Sequence, residues 1–144
     1  MEKAIVVDID GTVALNDHRE YHDYSDAVLL DKPIKPVINV VKMYYNAGYK
    51  LIFLTGRKVK CEAFTKQWID KHIGIPEYIL YMRDKRFQVV KDFPDYTMKE
   101  IIYNESIKPF FDIECVFEDR KSVKEMWVKN GLFVFDTNQM DEVF

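Results

Sequence analysis

Residues 4–12 read Ala4-Ile5-Val6-Val7-Asp8-Ile9-Asp10-Gly11-Thr12, an apolar run that stops at an acid and turns polar at once. Four apolar residues without polar alternation suit a strand covered on both faces, as in a parallel sheet. Similar runs occur at Leu51–Leu54, Tyr78–Tyr81, Cys115–Phe117 and Leu132–Phe135. Helical periodicity fills the gaps between them. Pro36 fits a first helical turn, Val37, Val41 and Tyr44 then share one face, and Gly48 stops the helix. Phe64 and Trp68 mark a second helix, from about Val59 to His72. Met98, Ile101 and Ile102 mark a third apolar face, and Val123, Met126 and Trp127 a fourth before Gly131. Strands alternating with helices predict an α/β fold: one open, mostly parallel five-stranded sheet with helices on both faces. Ligands of such sheets sit beyond the carboxyl ends of the strands.

The chain as a whole narrows the possibilities. Its 144 residues, 48% hydrophobic and 31% charged, suit one globular domain, and no linker or repeat divides residues 1–144. With a net charge of -3 the whole surface does not attract nucleic acid, so an anionic substrate needs a local patch or a metal ion. Cys61 and Cys115 stand far apart, outside any zinc or disulfide pattern, and suit a reducing cytoplasm. The first strand begins too early to leave room for a signal peptide. No apolar run approaches the ~20 residues that span a bilayer. A cytoplasmic protein without membrane attachment is expected.

The polar residues after each run carry the chemistry. Asp8 and Asp10 can approach each other only if the chain bends after Asp8, which Gly11 permits; a divalent cation between them would offset their repulsion. Taken alone, Asp-x-Asp-Gly is also an ordinary turn. Thr55-Gly56-Arg57 brings a hydroxyl, an open backbone and a guanidinium to a strand end, which suits a phosphoryl group, although Thr-Gly-Arg is common in loops. Lys99 opens the third helix on the face opposite Met98, Ile101 and Ile102. Asp95, one helical turn earlier, is its expected anchor. Glu118-Asp119-Arg120 closes the fourth run and adds a second acidic pair. Each signal is weak, but their common position at strand ends is not.

This order of motifs resembles the haloacid-dehalogenase (HAD) phosphohydrolases over residues 3 to about 137. The resemblance implies a HAD-like Rossmannoid sheet in which Asp8 attacks phosphorus and forms an aspartyl-phosphate. Asp10 would be the general acid and base, Thr55 would bind phosphoryl oxygens, and Lys99 would neutralise phosphate and Asp8. Mg²⁺ would lie on Asp8, Asp119 and the backbone carbonyl of Asp10, with Glu118 reaching it through water. Glu118 departs from the family's usual Asp. Asp10 must carry a proton in the first step, and a crowd of carboxylates is expected to favour this.

The stretches between Asp10 and Thr55 and between Arg57 and Lys99 are nearly used up by predicted elements. They leave no room for a large cap, though a small one fits within residues 14–34. An open site suits a large substrate entering end-on. A closer likeness is to the phosphatase domain of phage-type polynucleotide kinase-phosphatases. It rests on Asn16-Asp17-His18-Arg19-Glu20-Tyr21, Asp95-x-x-x-Lys99-Glu100-Ile101, Pro109-x-Phe111-Asp112, Glu118-Asp119-Arg120 and Val123-x-Glu125-Met126-Trp127. It implies substrate-binding roles for Arg19, Gly56, Arg57 and Asp95, with Arg19 one position out of register. The implied activity is a polynucleotide 3′-phosphatase on DNA or RNA ends; the alternative is a phosphatase of free nucleotides. No G-x-x-x-x-G-K-[ST] motif occurs, so no kinase activity is expected, and a separate kinase or ligase is a possible partner. Arg83-Asp84-Lys85-Arg86 with Lys91, flanked by Tyr81 and Phe87, reads either as a solvated loop or as a track for a nucleic acid backbone.

Overall fold

A computed structural model describes residues 1–20 and 23–144. Tyr21, part of the resemblance above, lies outside the described residues. The chain opens with β1 (Glu2–Val7) and then forms a small flap from β2 (Ala14–Leu15), a 3₁₀ turn (Asp26–Leu30) and β3 (Lys32–Pro33). It continues through α1 (Lys35–Asn46), β4 (Lys50–Lys58), a 3₁₀ turn (Val59–Cys61), α2 (Glu62–His72), β5 (Ile79–Arg83), α3 (Asp95–Ile102), β6 (Phe111–Glu118), α4 (Lys121–Lys129) and β7 (Val134–Asp136). Five strands form one parallel sheet in the order β5-β4-β1-β6-β7, while β2 and β3 pair antiparallel apart from it.

Side chains alternate along a strand, so each central strand feeds two cores. Ile5, Val7, Leu51, Phe53, Cys115 and Phe117 point to one face, where Ile38, Val41, Trp68 and Ile69 of α1 and α2 cover them. Ala4, Val6, Ile52, Leu54 and Val116 point to the other, under Met98 and Ile102 of α3 and Val123, Met126 and Trp127 of α4. Burial on both faces is why the strands read as unbroken apolar runs. The second strand is longer than its apolar run: β4 continues to Lys58, past a register shift against β5 between Leu54 and Lys58. Thr55-Gly56-Arg57 therefore lies within the strand's last turns of pleat, not in the loop after it.

No described helix is long and apolar enough to cross a membrane. Between the first two motifs, the two-stranded flap fills the stretch where a small cap could be fitted.

The two buried tryptophans differ in one respect. Trp68 Nε1 donates to the Asp31 carbonyl at 2.7 Å, whereas Trp127 Nε1 has no partner among the described residues. Trp68→Phe and Trp127→Phe remove similar area, but only the first strands a buried carbonyl. Denaturant unfolding should show Trp68→Phe the more destabilising by about 1–3 kcal/mol. Equal losses would contradict this assignment.

Candidate active site

The carboxyl ends of β1, β4 and β6 meet at one cleft of about 760 Å³. Asp8 is the first residue beyond β1, and its N–H still donates to Phe117 of β6 at 3.0 Å. Its Oδ1 accepts from Lys99 Nζ at 2.9 Å, and its Oδ2 accepts from the Thr12 hydroxyl at 3.1 Å. Lys99 Nζ also donates to Glu118 Oε1 at 2.9 Å. The other Glu118 oxygen accepts from the backbone N–H groups of Asp119 (3.2 Å) and Arg120 (3.4 Å). Oxygens of Asp8, Glu118 and Asp119 all lie within 4.8 Å of one another.

Lys99 does not face away from the core. It is 2% exposed and shares the buried side of α3 with Met98 and Ile102. Apolar spacing alone could not show this, because a lysine inside a core is stable only where acids from other elements receive it. Its hydrogen-bond partners are Asp8 and Glu118. Asp95, the expected anchor, acts on it only through its charge.

The electrostatics of this cluster follow from three acids and one ammonium out of water. Burial acts to raise Asp8, but the Lys99 charge and the surrounding hydrogen bonds outweigh it, and the carboxyl sits below its ordinary value. Burial and the Asp8 charge push Glu118 up to about 7 against the pull of Lys99. Burial, then Asp8, pushes Asp119 up to about 10. The group lacks positive charge. Several carboxylate oxygens within reach of one point suit a hard divalent cation, which would supply it.

Gly11 allows the cluster to close. Its φ is +80°, and a Cβ there would stand 1.9 Å from Asp119 Oδ2. Only a residue without a side chain lets the first loop lie against the fourth motif.

Asp10 points elsewhere. Arg57 grips it with Nε (3.1 and 3.2 Å) and Nη2 (2.7 Å), and Arg19 Nη2 donates to the same carboxylate at 3.0 Å. Both guanidiniums also bond Asp31, from Arg57 Nη2 at 2.9 Å and from Arg19 Nε and Nη2 at 2.9 and 3.0 Å. Arg57, fully buried, completes its bonds on the Thr65 hydroxyl at 3.0 Å. The expected crowd of carboxylates is thus absent at Asp10, whose neighbours are cations; the crowding falls on Asp8, Glu118 and Asp119. The Asp10 carboxylate is likewise outside the acidic cluster. Arg19 reaches the site despite its offset in sequence.

Thr55 is buried beside the cleft, and its hydroxyl accepts from the Arg57 N–H at 3.2 Å. Asp95 pairs with Arg83, whose guanidinium also donates to the carbonyls of Gly56 (3.1 Å) and Phe93 (2.9 Å). Arg120 Nη1 lies 3.3 Å from the other Asp95 oxygen. A Cβ on Gly56 would come within 2.7 Å of Asp95 Oδ1, so this glycine admits the acid to the edge of the cleft. Arg83 therefore turns inward, and Arg86 pairs with Glu105 at 2.7 Å, so the expected basic run is not a continuous track.

Sequence reasoning missed Asp31 and Thr65 as parts of the site, and Thr137, whose hydroxyl lies 3.0 Å from that of Thr12, and it did not foresee Arg83 as the partner of Asp95. Asp31 carries no local signal: it is a lone acid before Lys32-Pro33, and its role comes from two distant arginines.

A parallel sheet with an acid beyond its central strand, a lysine on it and an acidic pair at the end of the next strand defines a HAD-type phosphatase. Residues 2–141 match the family described as Polynucleotide kinase PNKP phosphatase domain, and the chain belongs to that family of phosphoric monoester hydrolases. It is 36% identical over 126 residues to a protein of Autographa californica nuclear polyhedrosis virus predicted to be a bifunctional polynucleotide kinase/RNA ligase; the match covers 87% of this chain and 18% of that protein. A chain in the structure of the Pnkp1/Rnl/Hen1 RNA repair complex is 31% identical with a TM-score of 0.83, over 94% of this chain and 42% of that one. The class C acid phosphatase from Bacillus anthracis shares the fold, with 16% identity and a TM-score of 0.65 over 96% of this chain and 67% of that one. The chain thus spans less than half the length of its closer-matched relatives.

The raised Glu118 and Asp119 have a sign that can be measured. Without a cation, the folded protein holds more protons than the unfolded chain between the ordinary carboxyl range and about 7 for Glu118 or about 10 for Asp119. Its stability therefore falls as pH rises through that window. A divalent cation needs the deprotonated oxygens and binds better at higher pH. The rise in Tm on adding one should be larger at about pH 8 than at about pH 6. A smaller or equal rise at the higher pH would overturn the cluster as a cation site.

Proposed function

We propose that this domain, residues 1–144, is a Mg²⁺-dependent polynucleotide 3′-phosphatase that acts through an aspartyl-phosphate. The observation that carries the mechanism is the pair of separately held acids: Asp8 on Lys99, and Asp10 on Arg57 and Arg19. The nucleic acid substrate is supported by the family match and by the polynucleotide kinase/RNA ligase and RNA repair complex named among the relatives.

In the first step an Asp8 oxygen bonds to phosphorus while the bond to the 3′ oxygen breaks, and Asp10, which must first take up a proton from solvent, gives it to that oxygen. In the second, a water attacks phosphorus, Asp10 takes its proton, and Asp8 and inorganic phosphate are released. Lys99 offsets the repulsion between Asp8 and the phosphoryl oxygens, and the Thr55 hydroxyl binds one of those oxygens. Arg57 and Arg19 fix where Asp10 points. Asp8 and Asp119, with the Asp10 carbonyl, would hold Mg²⁺, whose charge further screens the phosphoryl group. Glu118 positions Lys99 and would reach the ion through water. Gly56 and Asp95 shape the substrate side.

A cleft of about 760 Å³ also admits a free nucleotide, so a nucleotidase with the same mechanism is the second reading. The buried, unpaired Cys61 and Cys115 support a cytoplasmic setting, and the longer relatives support a kinase or ligase as partner.

Asp8→Asn should abolish turnover, and Lys99→Ala should lower kcat by about 10²–10³-fold, measured as phosphate release with Mg²⁺. Retained activity in Asp8→Asn would refute the nucleophile. In the same assay kcat/KM should be higher for a 3′-phosphorylated oligonucleotide than for 3′- or 5′-mononucleotides. The reverse order would favour the nucleotidase.

A further inference from the structure

Beside the cleft lies a second groove of about 680 Å³. Tyr24, Gly56, Asp95 and Arg120 border both, so one opens directly into the other. The far side of the groove carries Lys58, at the end of β4, and residues 88–92 between β5 and α3. We propose that this groove binds the penultimate nucleotide, one position 5′ to the nucleoside that carries the terminal 3′-phosphate. Lys58 and Lys91 hold its phosphodiester, and Val89 and Val90 support its base or sugar. The inference rests on the nucleic-acid-end reading above.

The charges favour an anion. Arg83 and Arg120 are both paired with Asp95. Lys58 and Lys91 line the same groove with no carboxylate within ion-pair distance among the described residues. Asp92 is the groove's remaining acid, and it is exposed. Lys58 owes its direction to the strand. Arg57 points inward to Asp10, Asp31 and Thr65, and the next side chain along a strand points the opposite way.

The apolar residues favour a nucleotide over a simple anion. Val89 is 83% exposed and Val90 61%, side by side in the groove wall. Two apolar side chains held in water next to two unpaired cations match a ligand with both a charged backbone and apolar ring faces. Continuity supplies the third argument. A terminal phosphate at Asp8 leaves the rest of the strand to be placed, and this groove begins at the cleft wall. A mononucleotide ends before reaching it.

The test compares a 3′-phosphorylated oligonucleotide with a nucleoside 3′-monophosphate, for the wild-type protein, Lys58→Ala/Lys91→Ala, and Lys91→Glu in the exposed loop. The wild-type preference for the oligonucleotide, as a ratio of kcat/KM, should fall about tenfold in the double variant, through KM. The salt dependence of kcat/KM on the oligonucleotide should lose a slope of about one for each lysine removed. An unchanged preference and salt slope in both variants would overturn the groove while the end-acting reading stood. No wild-type preference for the oligonucleotide would overturn that reading and this inference with it.

Discussion

Lys99 is an ammonium ion almost wholly removed from water, and the arrangement of the site follows from keeping it charged. Burial alone would drive the proton off. Asp8 and Glu118 reverse that, so its pKa lies above the ordinary lysine value. Those acids come from the ends of β1 and β6, neighbours in the sheet, so the lysine requires both strands to end at the same level. Removing one member of such a buried pair usually costs about 3–5 kcal/mol, because the other is left uncompensated. The same bond holds the carboxylate proposed to attack phosphorus.

The two acids of the first motif are separated by charge. Asp8 belongs to a group with more carboxylates than cations, which a metal ion would complete. Asp10 belongs to a group of two carboxylates and two guanidiniums, Asp10 and Asp31 with Arg57 and Arg19, that balances by itself. The first group is compatible with a cation; the second has its hydrogen bonds satisfied among its own side chains. Asp10 can therefore be held in place by side chains, independently of the ion.

Much of this was legible in the sequence, for a physical reason. Strands buried on both faces leave unbroken apolar runs, and helices over a sheet leave a 3.6-residue stripe, so the five parallel strands and four helices could be read locally. Strand ends likewise announced Asp8, Asp10, Thr55 and Asp119. What failed was whatever depends on a partner distant in sequence. The inward turn of Lys99 needed Glu118 on another strand. Asp95 sat one turn from Lys99 but was taken by Arg83 and Arg120. Asp31 had no pattern around it at all. The basic run at Arg83 left a solvated loop and a backbone track both open, because its carbonyl partners, Gly56 and Phe93, cannot be seen from the chain itself.

The place of β1 in the middle of the sheet has a consequence in time. Asp8 precedes its partners in the chain: its strand pairs with β4 and β6, and Lys99 and Glu118 lie far downstream. Thr137, beyond the last strand, closes on Thr12 and so on Asp8. Contacts this distant in sequence form slowly, after most of the loop entropy has been lost. During synthesis Asp8, the proposed nucleophile, therefore emerges before the charges that surround it in the folded domain. The cluster can assemble only after α3 and β6, which carry Lys99 and Glu118, have left the ribosome.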